Sequence, residues 1–326
     1  SFYDVRIPGL KLTVIQADGQ DVEPVTVDEF RFGPGETYDI MVEPQDDAYT
    51  IFAQSMERSG YARGTLSVRQ GLTAPVPEPD SPEWLTMKDM MGAMGGGAMG
   101  HDMMKMDSMG QTKMDHSQMS GGMAMDHSMH GMQQGSDNPL AKPSSTIRHA
   151  RTEYGASVDQ RVDTPSTNLD DPGIGLRNLS QRGLRPQGHR VLTLADLKSI
   201  DGVLDDRRPP ARELELHLTG NMERYSWSFD GLEFGKSTPV SLRHNERVRI
   251  ILQNDTMMTH PMHLHGMWSE LETDQGELRV RRHTIPVQPA QRISFLTTPH
   301  DLGRWAWHCH LLFHMDAGMF REVVVS

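Results

Sequence analysis

The sequence predicts an all-β protein: two antiparallel sandwich units joined by a compositionally biased insert. Short strand-like runs bounded by Gly and Pro turns recur through residues 1–74 and again through 191–326. Between them the apolar alternation stops, and a Pro-rich and then Met-rich stretch takes over. The 326 residues allow two domains of ordinary size, while 36% hydrophobic residues and a mean hydropathy of −0.54 leave a large share outside any packed core. A net charge of −12 argues against a nucleic-acid partner, and no apolar run is long enough to span a membrane.

Taken in order, the residues from Phe2 onward read at once as strand, with no initiator Met or signal peptide, so the chain is expected to be truncated at its N-terminus. Strands are expected at 10–15, 38–42, 49–53 and 64–68, with a Gly33-Pro34-Gly35 turn, making part of a sandwich. This stretch holds no histidine, the first being His101. Pro75 to Pro82 begin a stiff, extended linker. Fifteen of the 24 methionines then lie between Met87 and Met132, among Gly, Ser, Asp and Lys, so core packing does not account for them. Thioethers are soft ligands that select Cu(I). Met114, His116 and Met119, then Met125, His127, Met129 and Met132, sit in two runs sharing a Met-Asp-His-Ser core. Residues 75–139 therefore read as a flexible copper-binding linker; the competing reading is a disordered linker whose methionines act as an oxidation sink. Residues 140–190 are polar and turn-rich, an expected irregular surface segment. Strands at 213–218, 225–229, 240–242, 248–252, 278–280, 292–296 and 305–310 build the second sandwich.

The chemistry concentrates near the C-terminus. Cys309, the one cysteine, is flanked by His308 and His310 and followed by His314 and Met319. A Cys thiolate, two imidazoles and a weak thioether are the ligand set of a blue electron-transfer copper, and His260, His263 or His265 can supply the further imidazole. In extended chain, residues two apart share a face. His263 and His265 then point together, as do His308 and His310, while Cys309 and His260 each point away from those pairs. The parity sorts the ligands into Cys309 with His260 on one side and four imidazoles on the other. Zinc is the second choice of metal, but zinc sites with one Cys rarely come with two His-x-His pairs.

The run H-P-x-H-x-H-G at His260–Gly266, with H-C-H-x-x-x-H-x-x-x-x-M at His308–Met319, resembles the third cupredoxin domain of multicopper oxidases. Phe32–Glu43 resembles their middle domain. The resemblance implies a type 1 copper on His260, Cys309 and His314 with Met319 axial, a type 2 copper on His263, and a type 3 pair on His265, His308 and His310. Cys309, His308 and His310 would carry the catalytic electron path, with reductant docking near an exposed edge of His314 or His260. Two more His-x-His motifs complete the trinuclear cluster in that family; none precedes His263 here, so this chain alone is expected to hold half the cluster ligands and not to reduce oxygen. The Met-rich insert, together with the runs starting at Arg151, Asn168 and His217, is similar to the copper-resistance protein A group of periplasmic multicopper oxidases. That implies a periplasmic enzyme, its export signal outside this chain, oxidising Cu(I) and phenols while oxygen is reduced to water, with other periplasmic copper-resistance proteins as partners. Met258 and Asp255 lie near the positions where bacterial cuprous oxidases bind Cu(I). The alternative is a copper-sequestering protein acting through its Met-rich tract. His189, His217, His244, His283 and His300 match no motif position and are expected to be solvated or supporting.

Overall fold

A computed structural model describes residues 1–91 and 140–326. Met114, His116, Met119, Met125, His127, Met129 and Met132 lie outside the described residues, as does most of the expected linker.

Seven strands come from the first seventy residues: β1 Tyr3–Arg6, β2 Leu12–Ala17, β3 Gln20–Val27, β4 Glu29–Phe32, β5 Tyr38–Met41, β6 Ala48–Ser55 and β7 Tyr61–Ser67. They form a four-stranded sheet, β4-β1-β6-β7, and a three-stranded one, β3-β2-β5. In β2 the alternate residues Leu12 and Val14 are buried, the period-two signature of a strand with one face on the core. After the short helix α1 (Met87–Met91), the chain is again described from Leu140.

The second unit holds β8 Arg212–Asn221, β9 Ser226–Phe229, β10 Val240–Leu242, β11 Val248–Asn254, β12 His260–Leu264, β13 Ser269–Glu272, β14 Leu278–Arg282, β15 Thr284–Val287, β16 Arg292–Thr297, β17 Gly303–Cys309 and β18 Phe320–Val325, with the one-turn helix α2 (Leu312–Asp316) between the last two. Two sheets result, β10-β18-β17-β12-β15 and β14-β13-β16-β11-β8-β9. The pairs β8/β11 and β10/β18 are parallel, unlike the antiparallel expectation, because strands distant in sequence meet there and an alternating pattern carries no information on direction. Strand β13, Ser-Glu-Leu-Glu, was hidden from hydropathy: Glu270 and Glu272 are buried, paired with Arg247 and Arg249 at 2.6 Å.

Residues 140–200 carry little regular structure yet do more than cover a surface. Val158, Val162, Leu169, Leu176 and Leu179 are buried, and the segment hydrogen-bonds to both units, Leu192 to Glu29 and Ser166 to Ala290. A continuous buried apolar cluster runs from Leu12 and Val14 through Leu169 and Leu197 to Trp227, Ile250 and Trp307.

The units are also locked by one buried cation. Arg282, at the end of β14, donates to Asp18 Oδ2 at 2.7 Å, Glu36 Oε1 at 2.8 Å and the Tyr38 hydroxyl at 2.9 Å. Burial works to raise the Asp18 carboxyl, but the adjacent guanidinium outweighs it and holds it below its usual range. Glu36, where burial dominates, is pushed up to about 6. Replacing Arg282 with Met leaves both carboxylates buried without their cation, and the expected loss is about 3–5 kcal/mol. Urea unfolding of the two proteins checks this; an unchanged midpoint would show that the lock contributes nothing.

Candidate metal centre

Strands β12 and β17 pair antiparallel, with His263 opposite His308 and Met262 opposite Cys309. Alternation along each strand sends its ligands to two faces. On one face Cys309 Sγ lies 3.6 Å from His260 Nδ1 and 3.7 Å from His314 Nδ1, and the two nitrogens are 3.1 Å apart. A metal with bonds of about 2.3 Å to sulfur and 2.0 Å to nitrogen needs sulfur–nitrogen edges of about 3.5–3.8 Å. The three side chains therefore fit a copper ion of the blue type, and the donor chemistry agrees.

His314 reaches this point because α2 turns the chain back directly after β17. Backbone bonds close the loop, Cys309 N–H to Met319 O at 3.1 Å and Met319 N–H to His314 O at 2.9 Å, which brings the fully buried Met319 back beside Cys309. The His260 ring turns Nδ1 toward the sulfur and sets Nε2 2.7 Å from Thr256 Oγ1, fixing which nitrogen can bind metal. Trp227 stacks on His314 with ring centroids 4.1 Å apart. Exposure of His260 is 0% and of His314 3%, so the expected exposed imidazole edge is absent; the surface beside them is Leu312, Phe313 and Tyr225.

Burial sets the protonation of this face. It pushes the Cys309 thiol up to about 12, the His314 imidazole down to about 4, and His260 well below its usual value. Both imidazoles are thus neutral and ready to ligate at pH 7. The thiol holds its proton until a metal displaces it.

On the opposite face four imidazoles converge. Ring centroids of His263 lie 4.4 Å from His265, 5.8 Å from His308 and 5.7 Å from His310, and His308 lies 5.5 Å from His310. Nitrogens of His265 and His308 approach to 3.1 Å. Burial pushes His263 down to about 4 and lowers His265 and His308. A cleft of about 530 Å³ opens beside them, lined by His263, His265, Trp268, Arg281 and His283. His283, which matched no motif, packs 5.2 Å from the His263 ring and accepts from His263 Nδ1 through its carbonyl. Sequence spacing held no signal for that contact, since it crosses between paired strands.

The first unit completes the wall. Gly35, in the Gly33-Pro34-Gly35 turn, has φ +85, and a Cβ there would sit 2.5 Å from His310 Cδ2. Thr284 Oγ1 joins the same region, 3.2 Å from both the Gly35 carbonyl and His263 Nδ1. Met258 is half-buried against the core. Asp255 is committed elsewhere: it is buried, and its carboxylate meets Val162 N, Gln253 Nε2 and His217 Nδ1, with none of its hydrogen bonds going to Met258.

Two multicopper oxidase family models match, one over residues 207–326 and one over 1–71, together more than half of the chain. Copper resistance protein A of Escherichia coli is 50% identical over all of this chain and 54% of its own length, and that of Pseudomonas syringae pv. tomato is 51% identical with the same coverage. The chain thus spans about half the length of the curated relatives it matches. Among solved structures, Fet3p, a multicopper oxidase that functions in iron import, superposes with TM-score 0.56 at 12% identity over all of this chain and 53% of that one. A laccase from Botrytis aclada gives 0.52 at 16%, over 99% and 49%. At these identities the structural likeness concerns the fold, a cupredoxin-like all-β architecture.

Two outcomes follow from the geometry. With its pKa raised from 9.0 to about 12, Cys309 carries about a thousandfold less thiolate at pH 8 than an ordinary thiol, so disulfide-exchange reagents should modify it about a thousandfold more slowly in the folded, metal-free chain than in urea; equal rates would contradict the burial. Because folded His263 and His314 titrate near 4 and unfolded histidine near 6.5, the unfolded chain binds more protons between those values. Their contribution to stability is complete above pH 6.5 and lost as pH falls toward 4. Unfolding midpoints of metal-free protein should drop across that window, and less steeply in His263→Gln.

Proposed function

The chain belongs to the multicopper oxidase family, and from that premise we propose that it is the electron-accepting part of a copper-resistance oxidase that takes electrons from Cu(I) and delivers them to oxygen. The observation that carries this reading is the back-to-back placement of Cys309 and the four-histidine face on one pair of strands. His260, Cys309 and His314, with Met319 closing the site, would hold a type 1 copper; His263 would hold a type 2 copper and His265, His308 and His310 the type 3 pair. Copper in these positions supplies reversible one-electron chemistry and, with the full cluster, four-electron reduction of oxygen to water.

The chain's own contribution is geometric and protic. Peptide bonds tie Cys309 directly to His308 and His310, so the thiolate on one face and imidazoles on the other share the shortest covalent bridge a strand allows. Burial of His260 and His314 excludes water from the sulfur. His263, His265 and His308, lowered by burial, and the Gly35 backbone packed close on His310 shape the other face. We place the working compartment in the periplasm and include Met258 as a candidate contact for the Cu(I) substrate, with phenols as accessory substrates and other copper-resistance proteins as partners.

Copper-loaded chain should be intensely blue, lose that colour in Cys309→Ser, and bleach on anaerobic addition of Cu(I). A blue protein that bleaches with phenols but not with Cu(I) would remove Cu(I) as substrate, and one that bleaches with neither would remove the electron-accepting role. A sequestering role is favoured by the fifteen methionines between Met87 and Met132. Deleting residues 92–132 separates the two: a store loses most of its Cu(I) capacity, whereas an oxidase bleaches at an unchanged rate under saturating Cu(I).

A further inference from the structure

A second buried cluster takes no part in the face-to-face centres, and we propose that it is a resident site for a divalent transition ion with tetrahedral preference, zinc being the reference ion. His149, Glu153, His217 and Asp255 each offer one ligand atom, and these atoms all lie within 4.8 Å of one another. His149 Nδ1 is 2.7 Å from Glu153 Oε2 and 3.5 Å from Asp255 Oδ2, while His217 Nδ1 is 3.3 Å and 2.8 Å from the same two oxygens. Bonds of about 2.0–2.1 Å to a tetrahedral ion put neighbouring ligands about 3.3 Å apart. The four imidazole–carboxylate edges, 2.7, 2.8, 3.3 and 3.5 Å, bracket that spacing, and an ion would need to spread the two short ones.

Three features set this apart from a pair of ordinary imidazole–carboxylate bonds. First, the other oxygen of each carboxylate is already held. Ala150 N–H donates to Glu153 Oε1 at 2.7 Å, and Val162 N–H and Gln253 Nε2 donate to Asp255 Oδ1 at 3.2 and 2.8 Å. One oxygen of each is left facing the common centre. Second, each imidazole turns Nδ1 inward; His217 Nε2 lies 3.1 Å from Glu215 Oε1, while the buried His149 Nε2 makes no hydrogen bond and lies 3.4 Å from the exposed Asp163 carboxylate. An outward carboxylate behind the ring is how metal-binding histidines are held in one tautomer. Third, Glu153 and Asp255 are 0% and 1% exposed, and among the described residues no Arg or Lys side chain pairs with either carboxylate. Against burial, hydrogen bonds to Asp255, Glu153 and Glu215 push the His217 imidazole up to about 11, so in the metal-free fold its proton covers one of the two buried charges; a dication that displaces that proton balances both.

The ligands also come from separate parts of the fold. His149 and Glu153 lie in the segment that follows the undescribed tract, His217 on β8, and Asp255 directly after β11. Its neighbour Thr256 is the residue that orients His260. An ion here would staple the irregular segment to the strand leading into the cysteine centre.

Cobalt(II) reports tetrahedral coordination by strong visible absorption, and the copper-free full chain carrying Cys309→Ser removes the thiolate as a competing ligand. One equivalent should bind with tetrahedral bands and no sulfur charge-transfer band, and zinc should displace it. In the same background Glu153→Gln, nearly isosteric, should weaken that binding about tenfold or more, and His149→Ala should abolish it. No tetrahedral bands in the parent, or bands unchanged in folded Glu153→Gln, would overturn the site and leave a hydrogen-bonded cluster. If His149→Ala fails to fold, thermal unfolding decides: a zinc-dependent rise in Tm that Glu153→Gln loses supports the site, and a parent Tm indifferent to zinc and to chelator refutes it.

Discussion

The pairing register of β12 with β17 is the constraint on which the rest depends. With His263 opposite His308 and Met262 opposite Cys309, a slip of one residue would send the thiol to the imidazole face and split both centres at once. The register is therefore defended on all sides. Pairing with β15 and β18 embeds the two strands in a five-stranded sheet, and Trp307 and Met262 bury the inward face. The Gly in the His-x-His-Gly run serves the same end, since Gly266 at φ +75 lets the backbone pass where a Cβ would sit 2.3 Å from Trp305.

A second layer of control comes from outside that sheet. Arg282 draws Asp18 and Glu36 of the first unit onto the second, and the turn preceding Glu36 is then pressed against His310. Buried ion pairs contribute little net stability, because desolvation offsets attraction. Their value here is positional: a bifurcated guanidinium accepts its carboxylates in one geometry only, so the two units meet in one register. The irregular segment at 140–200 adds hydrogen bonds to both sides and leaves little freedom for sliding.

Much of this was legible in the residues. Period-two parity alone separates Cys309 and His260 from the four other histidines, and most strands of both units announce themselves by alternation and turn residues. What stayed hidden are features with no local signature. Glu270 and Glu272 make β13 read as polar, although arginines from other strands neutralise both. Asp255 sits beside Met258 in sequence and faces His217 in space. His149 and Glu153 come from the irregular segment, His217 from β8 and Asp255 from just past the end of β11, so no spacing rule joins the four. Gly35 looks like an ordinary turn residue until the fold lays it on His310, 275 positions along the chain.

The separation of those partners in sequence also orders events in time. Arg282 lies 264 residues from Asp18 and 246 from Glu36. At synthesis rates of about 5–20 residues per second, the early carboxylates wait on the order of tens of seconds for their cation. Loop closure over such spans is slow, and local hairpins form well before it. Cys309, His314 and Met319 are made later than Arg282. Maturation therefore runs from scaffold to centre: β12 and β17, which carry the metal-binding side chains, are made after every strand of the first unit, and the wall against His310 closes only once Gly35 and β17 can meet.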